Sequence, residues 1–213
     1  MRTLRSKSLV LKPFAYAAGF LMAAAGPALA TNLNLSLQSG GSNVVTVLPG
    51  ANVPYSVMGV LSDAASDGLA AFSIDVSFTG GPLAAADAPS GPPMVSFDRP
   101  AGLTNPAGFG GTVLTGVLVQ VGGAQNTIRN VFAPYPNGNV VTGVAQLGQA
   151  LALVSGHLTA PATAGSYTLN ASNLVANVIQ TGQNGIPFWR VDKALPGTVV
   201  PLTVIVGPLK PRK

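Results

Sequence analysis

One stretch constrains this chain more than any other. From Gly68 to Asp87 it reads GLAAFSIDVSFTGGPLAAAD, where Phe72, Ile74, Val76 and Phe78 alternate with Ser73, Asp75, Ser77 and Thr79. Successive side chains of a strand point to opposite faces, so the run has one apolar face and one wet face. Gly80-Gly81-Pro82 ends it, because the glycines supply turn geometry and the proline removes a ladder donor. The pattern predicts an antiparallel sheet with one face on a core.

The residues before Thr31 read as a leader. Arg2, Arg5, Lys7 and Lys12 form a basic start, FAYAAGFLMAAAG is an uncharged apolar run, and Pro27-Ala28-Leu29-Ala30 offers small residues at a cleavage site. This layout predicts a secretory signal peptide over 1–30, cut after Ala30, with no membrane-spanning segment left once it is gone. The expected location is extracellular or periplasmic. Four of the eleven basic residues leave with the leader, and Lys210, Arg212 and Lys213 lie in a basic tail over 208–213. The body between keeps Arg99, Arg129, Arg190 and Lys193 against Asp63, Asp67, Asp75, Asp87, Asp98 and Asp192. Four positive against six negative is slightly acidic, despite a whole-chain pI near 9.9, so no basic field is available to steer nucleic acid.

Residues 31–207 suit one domain large enough to bury a core without staples. The chain has no cysteine, which excludes disulfides, thiolate nucleophiles and Cys-ligated zinc. Twenty-six glycines and 18 prolines among abundant Val, Thr, Ser and Asn favour short strands joined by turns. Strands are expected over Thr31–Leu37, Val44–Leu48, from Val53 up to Gly59 and over the organising stretch, then at Met94–Phe97, Thr112–Val121 and Val140–Val144. More follow from about Ala150 to Thr159 and at Ser166–Asn170, Leu174–Ile179, Phe188–Val191 and Thr198–Val206. Leu83 is the expected anchor of the Gly80–Pro93 connection. Val113, Val117, Val119 and Val121 are assigned to one face, as are Val200, Leu202, Val204 and Val206. Gly110-Gly111 and Gly122-Gly123 lack the helix and Lys of a phosphate loop and read as turns. Regular short strands with almost no helix predict an all-β antiparallel sandwich or jelly roll of roughly nine strands.

The order of TNLNLSL, then VTVLPGANVPYSVMGVL, then Leu69-Ala70-Ala71-Phe72-Ser73-Ile74-Asp75, resembles cohesin-like and carbohydrate-binding sandwich domains of secreted bacterial proteins. The rear is similar too: GHLTAPATAGSYTL delivers Tyr167 into a strand, and a Val-rich strand closes the domain. The likeness spans residues 31–206 and rests on turns and alternation. It implies a nine-stranded jelly roll that acts by binding, with an extracellular protein (a dockerin module in that family) or a polysaccharide as partner.

Catalytic chemistry finds little to stand on. His157 is the only histidine, no Gly-x-Ser-x-Gly elbow occurs, and no carboxyl pair suited to glycoside hydrolysis stands out among six Asp. The chain reads as a non-enzyme. Asp63 and Asp67 share one loop and are weak candidates for Ca²⁺, without EF-hand spacing; no other cofactor is implied. For ligand binding the candidates are Arg129, Phe132 and Tyr135 in a Pro-rich loop, and Phe188, Trp189 and Arg190. Alternation with Arg190 outward places Phe188 outward and Trp189 inward beside Val191. One Trp and four Tyr, with Tyr16 in the leader, are few for a module that binds fibres by aromatic stacking.

Overall fold

The computed structural model describes the backbone of residues 31–89, 97–98, 110–125, 143–181 and 189–208, with the side chains of all but 97–98, 124–125, 181 and 189–190. Eleven strands occur among them: β1 Asn32–Gln38, β2 Val44–Val47, β3 Asn52–Leu61, β4 Leu69–Phe78, β5 Phe97–Asp98, β6 Thr112–Leu114, β7 Val117–Gln125, β8 Leu151–Thr159, β9 Gly165–Thr181, β10 Trp189–Val200 and β11 Leu202–Val206. Ten remain if the two-residue β5 is set aside. The one helical element described is a single 3-10 turn, Ala85–Asp87.

The strands pair in the order β5-β7-β4-β9-β10-β1-β3-β8, with β11 joining β9 to β2 and β6 beside β7. The sheet curls because its long strands change neighbours along their length. β10 pairs with β9 from Trp189 to Ala194, then with β1 from Leu195 to Val200. One layer therefore carries β1, β3 and β8, and the other β4, β7, β9, β11 and β2. Both turn their apolar faces to one core, which joins Leu33, Leu35 and Leu37 of β1 with Ile74 and Val76 of β4 and Val204 of β11. The result is the expected all-β sandwich. Eight of its ten pairings are antiparallel; β1 with β10 and β2 with β11 run parallel.

The organising strand behaves as its alternation dictates. Ile74 and Val76 are fully buried, Phe72 nearly so, and Phe78 packs at the core margin. Each such side chain contributes about 1.5–3 kcal/mol by leaving water. Leu83 is buried as expected, and Tyr167 enters β9 with its hydroxyl donating to the Thr163 carbonyl four residues back at 2.9 Å. Its ring meets that of Phe78 at 6.1 Å between centroids.

Other expectations need correction, mostly because one residue of slip inverts a face. Thr112–Val121 is not one strand. Leu114 and Val117 pair across a two-residue turn, Thr115-Gly116, in which both residues have positive φ, the geometry of a tight hairpin. Beyond it Leu118 and Val121 are both buried, since Gln120 (φ 57°) bulges between them, whereas Val119 is half-buried and Val113, on β6, is exposed. Gly122-Gly123 is not a turn but part of β7, paired with Ser73 and Phe72. The two strands expected over 166–179 are one, β9, carrying a bulge at Asn173 (φ 51°). Val200 does not share the buried face of Leu202, Val204 and Val206: it ends β10 opposite Ser36 of β1 and is exposed. Of the strand expected at Val140–Val144, Val144 makes a lone bridge to Leu69, and 140–142 lie outside the described residues. Of the strand expected at Met94–Phe97, only Phe97 is described, as the start of β5, and 94–96 lie outside the described residues. Of the ambiguous 145–159 segment, Leu151–Thr159 is the strand β8, as expected from about Ala150 onward, and 145–150 is turn and irregular backbone.

Candidate functional surface

The side chains of Asp63, Asp75 and Asp87 take part in the architecture. Asp75 stands on the wet face of β4, the central partner of β7 and β9. Its Oδ1 accepts the Gln120 amide at 3.0 Å and its Oδ2 accepts the Asn173 side-chain amide at 2.7 Å. Gln120 and Asn173 are the positive-φ residues of the two bulges, and the register of β4 slips beside each of them. One carboxylate thus clamps an irregularity on either side of the same strand. Its two oxygens supply the acceptors that two neighbours need.

Asp63 serves a corner in the same manner. Oδ1 accepts Thr31 Oγ1 and the Ala65 amide, both at 3.0 Å, and Oδ2 accepts Ser62 Oγ at 2.7 Å. Desolvation acts to raise its carboxyl pKa, but the bonds from Ser62, Ala65 and Thr31 outweigh it and hold the group below the ordinary value. Asp67, four residues on, is fixed through its backbone: its carbonyl accepts the Gly143 amide at 2.6 Å and Gln146 Nε2 at 3.2 Å. Gly68 and Gly143 pass so closely that a methyl on either would meet the other's backbone. Among the described residues no group of three or more His, Asp or Glu side chains could hold a metal. Asp87 closes the 3-10 turn, where its Oδ2 accepts the Ala84 amide at 2.7 Å.

His157 is exposed on β8, opposite Pro54 of β3. Nearby, Ser56 and Ser155 share a hydroxyl hydrogen bond of 2.7 Å. Tyr55 points inward, beneath Gly156, and donates to the Asp87 carbonyl at 2.9 Å; burial and then the Asp87 charge push its phenol pKa strongly up.

The predicted ligand-binding residues Arg129, Phe132, Tyr135 and Phe188 lie outside the described residues. Trp189 and Arg190 begin β10, where they pair with Thr181 and Gln180, but their side chains lie outside the description. What the sequence reading missed is the exposed aliphatic surface. Val175 and Leu195, 55% and 44% exposed, each stand one residue beyond the Ala176–Ala194 pair of β9 and β10. Val44, Leu48 and Ile205 form a second exposed group around β2 and β11. The signal was present in the alternation of β9, where Val175 breaks phase with Leu174 and Ala176, but the Asn173 bulge hides which face wins.

No protein-family model matches the chain, and no curated protein matches it. Solved structures similar to it are cohesin domains. The seventh type I cohesin of Pseudobacteroides cellulosolvens ScaB is 9% identical, covering 85% of this chain and 96% of its own, at a TM-score of 0.47. The sixth cohesin of Acetivibrio cellulolyticus scaffoldin B, solved with a Cel5 dockerin, is 12% identical over 83% of this chain and 99% of its own, at 0.43. A type I cohesin–dockerin complex from Clostridium thermocellum contributes a third, 8% identical over 83% and 99%, at 0.44. These likenesses are partial, and the sandwich architecture rests on the strand pairing itself.

Proposed function

We propose that the chain is an exported, non-catalytic module that binds a protein partner through its outer surface, in the manner implied by its cohesin-like sequence pattern. The observation that carries this reading is the division of labour between its side chains. Asp63, Asp75 and Asp87 accept hydrogen bonds at a corner, two bulges and a turn, while bulky aliphatics stand in solvent on strands. General acid–base chemistry needs a group within reach of its target and tuned near working pH, whereas association needs exposed apolar surface. Export is supported by the leader and by Thr31, the first residue after the expected cut, which is buried and bonded to Asp63.

The test is capture on immobilised purified protein, with surface proteins of the producing cell in one arm and insoluble polysaccharides in the other. The expected result is saturable retention of a discrete protein, lost when Val175→Asp and Leu195→Asp are combined in a protein that still unfolds cooperatively. Retention on a glycan instead, or turnover of ester, peptide or glycoside substrates, overturns the reading. Mass spectrometry of the secreted protein should show Thr31 as the N-terminus.

A further inference from the structure

Thr31 is held in the fold by its carbonyl and its hydroxyl. The carbonyl accepts the Leu195 amide at 2.9 Å, and Oγ1 donates to Asp63 Oδ1 at 3.0 Å. The next residue is locked as well: the Asn32 amide donates to Ser62 Oγ at 3.0 Å, and the Asn32 carbonyl accepts the Ser62 amide at 2.9 Å. Among the described residues nothing pairs with the Thr31 backbone nitrogen. A cut before Thr31 therefore breaks none of these contacts.

Asp63 stands across the same corner. Its oxygens accept Thr31 Oγ1, the Ala65 amide and Ser62 Oγ, all neutral donors, and among the described residues no Lys or Arg pairs with it. Neutral bonds hold a carboxylate ionised without giving it a counter-charge. Cleavage turns the Thr31 amide into an α-ammonium with three donors and a full positive charge. Thr31 Oγ1 lies 3.0 Å from the carboxylate. A threonine hydroxyl is about 3–4 Å from its own nitrogen, which puts the ammonium within about 7 Å of Asp63 Oδ1. That is inside the about 8 Å screening length of physiological salt, and Thr31 is buried, which weakens screening further. Other charges nearby are mixed in sign. β1 has no ionisable side chain and β3 only Tyr55, while β10 carries Arg190, Asp192 and Lys193 ahead of Leu195, and Asp67 follows in the loop. Of these groups and Asp63, only Asp63 bonds Thr31.

We infer that removal of the leader completes this corner: the new α-ammonium of Thr31 becomes the counter-ion of Asp63, and the domain reaches full stability only after the cut at Ala30. The inference rests on the export reading above and adds what the cut does to the folded protein.

The test uses the protein purified from the secreted fraction. Nuclear magnetic resonance titration of its N-terminal residue should place the α-ammonium about one pH unit above the ordinary value of about 7.7–8.0, a gain of about tenfold in proton affinity. Asp63→Asn should return it to the ordinary range. Because that change also touches the corner, a chain keeping Ala28-Leu29-Ala30 ahead of Thr31 provides a second variant. It retains Asp63 and moves the charge up to about 10 Å along the chain. Coupling is reciprocal, so Asp63 should titrate at higher pH in this longer chain than in the mature one. A group whose pKa is raised on folding stabilises fully below its unfolded value and loses that contribution as pH rises through its folded value. The urea midpoint of the mature chain should accordingly fall above about pH 8 by more than that of the longer chain. An α-ammonium titrating in its ordinary range, a raised value that survives Asp63→Asn, or an Asp63 carboxyl that titrates alike in both chains would each overturn the inference and leave export standing. A secreted protein that begins at a residue other than Thr31 overturns both.

Discussion

Asp75 in one layer and Asn34 in the other solve the same problem with different chemistry. Where β1 runs parallel to β10 the register slips between Leu33 and Leu35, and Asn34 Oδ1 accepts both the Thr198 amide at 2.9 Å and the Thr198 hydroxyl at 3.0 Å. One amide oxygen suffices because a single residue of a single neighbour needs holding. Asp75 faces a bulge on each side, and two separated donors need two acceptor oxygens, which a carboxylate has and an amide lacks. The charge on the wet face of β4 is therefore explained by hydrogen-bond counting. The apolar face of β4 is set by burial, and its polar face by its neighbours' irregularities.

The largest expected effect lies on the apolar side of this contrast. Ile74→Ala removes a fully buried side chain and leaves a cavity, so it should lower unfolding stability by about 2–5 kcal/mol in a urea titration. Asp75→Ala comes next, at about 1–3 kcal/mol, since two donors lose a charged acceptor. Asp75→Asn should fall between, retaining one acceptor. Asn34→Ala should cost about 0.5–1.5 kcal/mol, and Ser73→Ala, beside Asp75 in sequence, close to nothing. If Asn34→Ala proved more damaging than Asp75→Ala, the two-acceptor argument would fail.

Proton linkage sharpens the picture at the extremes of pH. The Asp63 carboxyl is held below its ordinary value of 3.8, so its contribution is complete above that value and disappears as pH falls through the lower folded value. Thr31→Ala or Ser62→Ala should flatten this acid limb of the stability curve. Tyr55 has its phenol raised from 10.0, so its contribution is complete below pH 10 and is lost as pH rises toward the higher folded value. Tyr55→Phe should remove that alkaline loss while forfeiting the bond to Asp87.

Much of this fold was legible in residue order, for physical reasons that differ from strand to strand. The buried faces of β1, β3 and β4 follow from period-2 alternation alone, because Leu33, Leu35, Val53, Val57, Ile74 and Val76 never leave phase. β7 and β9 were misread because Gln120 and Asn173 each insert a residue, after which the apolar stripe continues on the other parity. Neither residue is glycine, so neither announces its positive φ. The candidate surface was less legible still: Val175 and Leu195 lie far apart in sequence and come together only through the β9–β10 pairing beside Ala176 and Ala194.

Native-state hydrogen exchange on Asp75→Ala tests the central claim most directly. If one carboxylate clamps both neighbours, protection should fall together on β7 around Gln120 and on β9 around Asn173, with β1 and β3 unchanged. Loss confined to one of the two strands, or spread evenly over the sandwich, would contradict it.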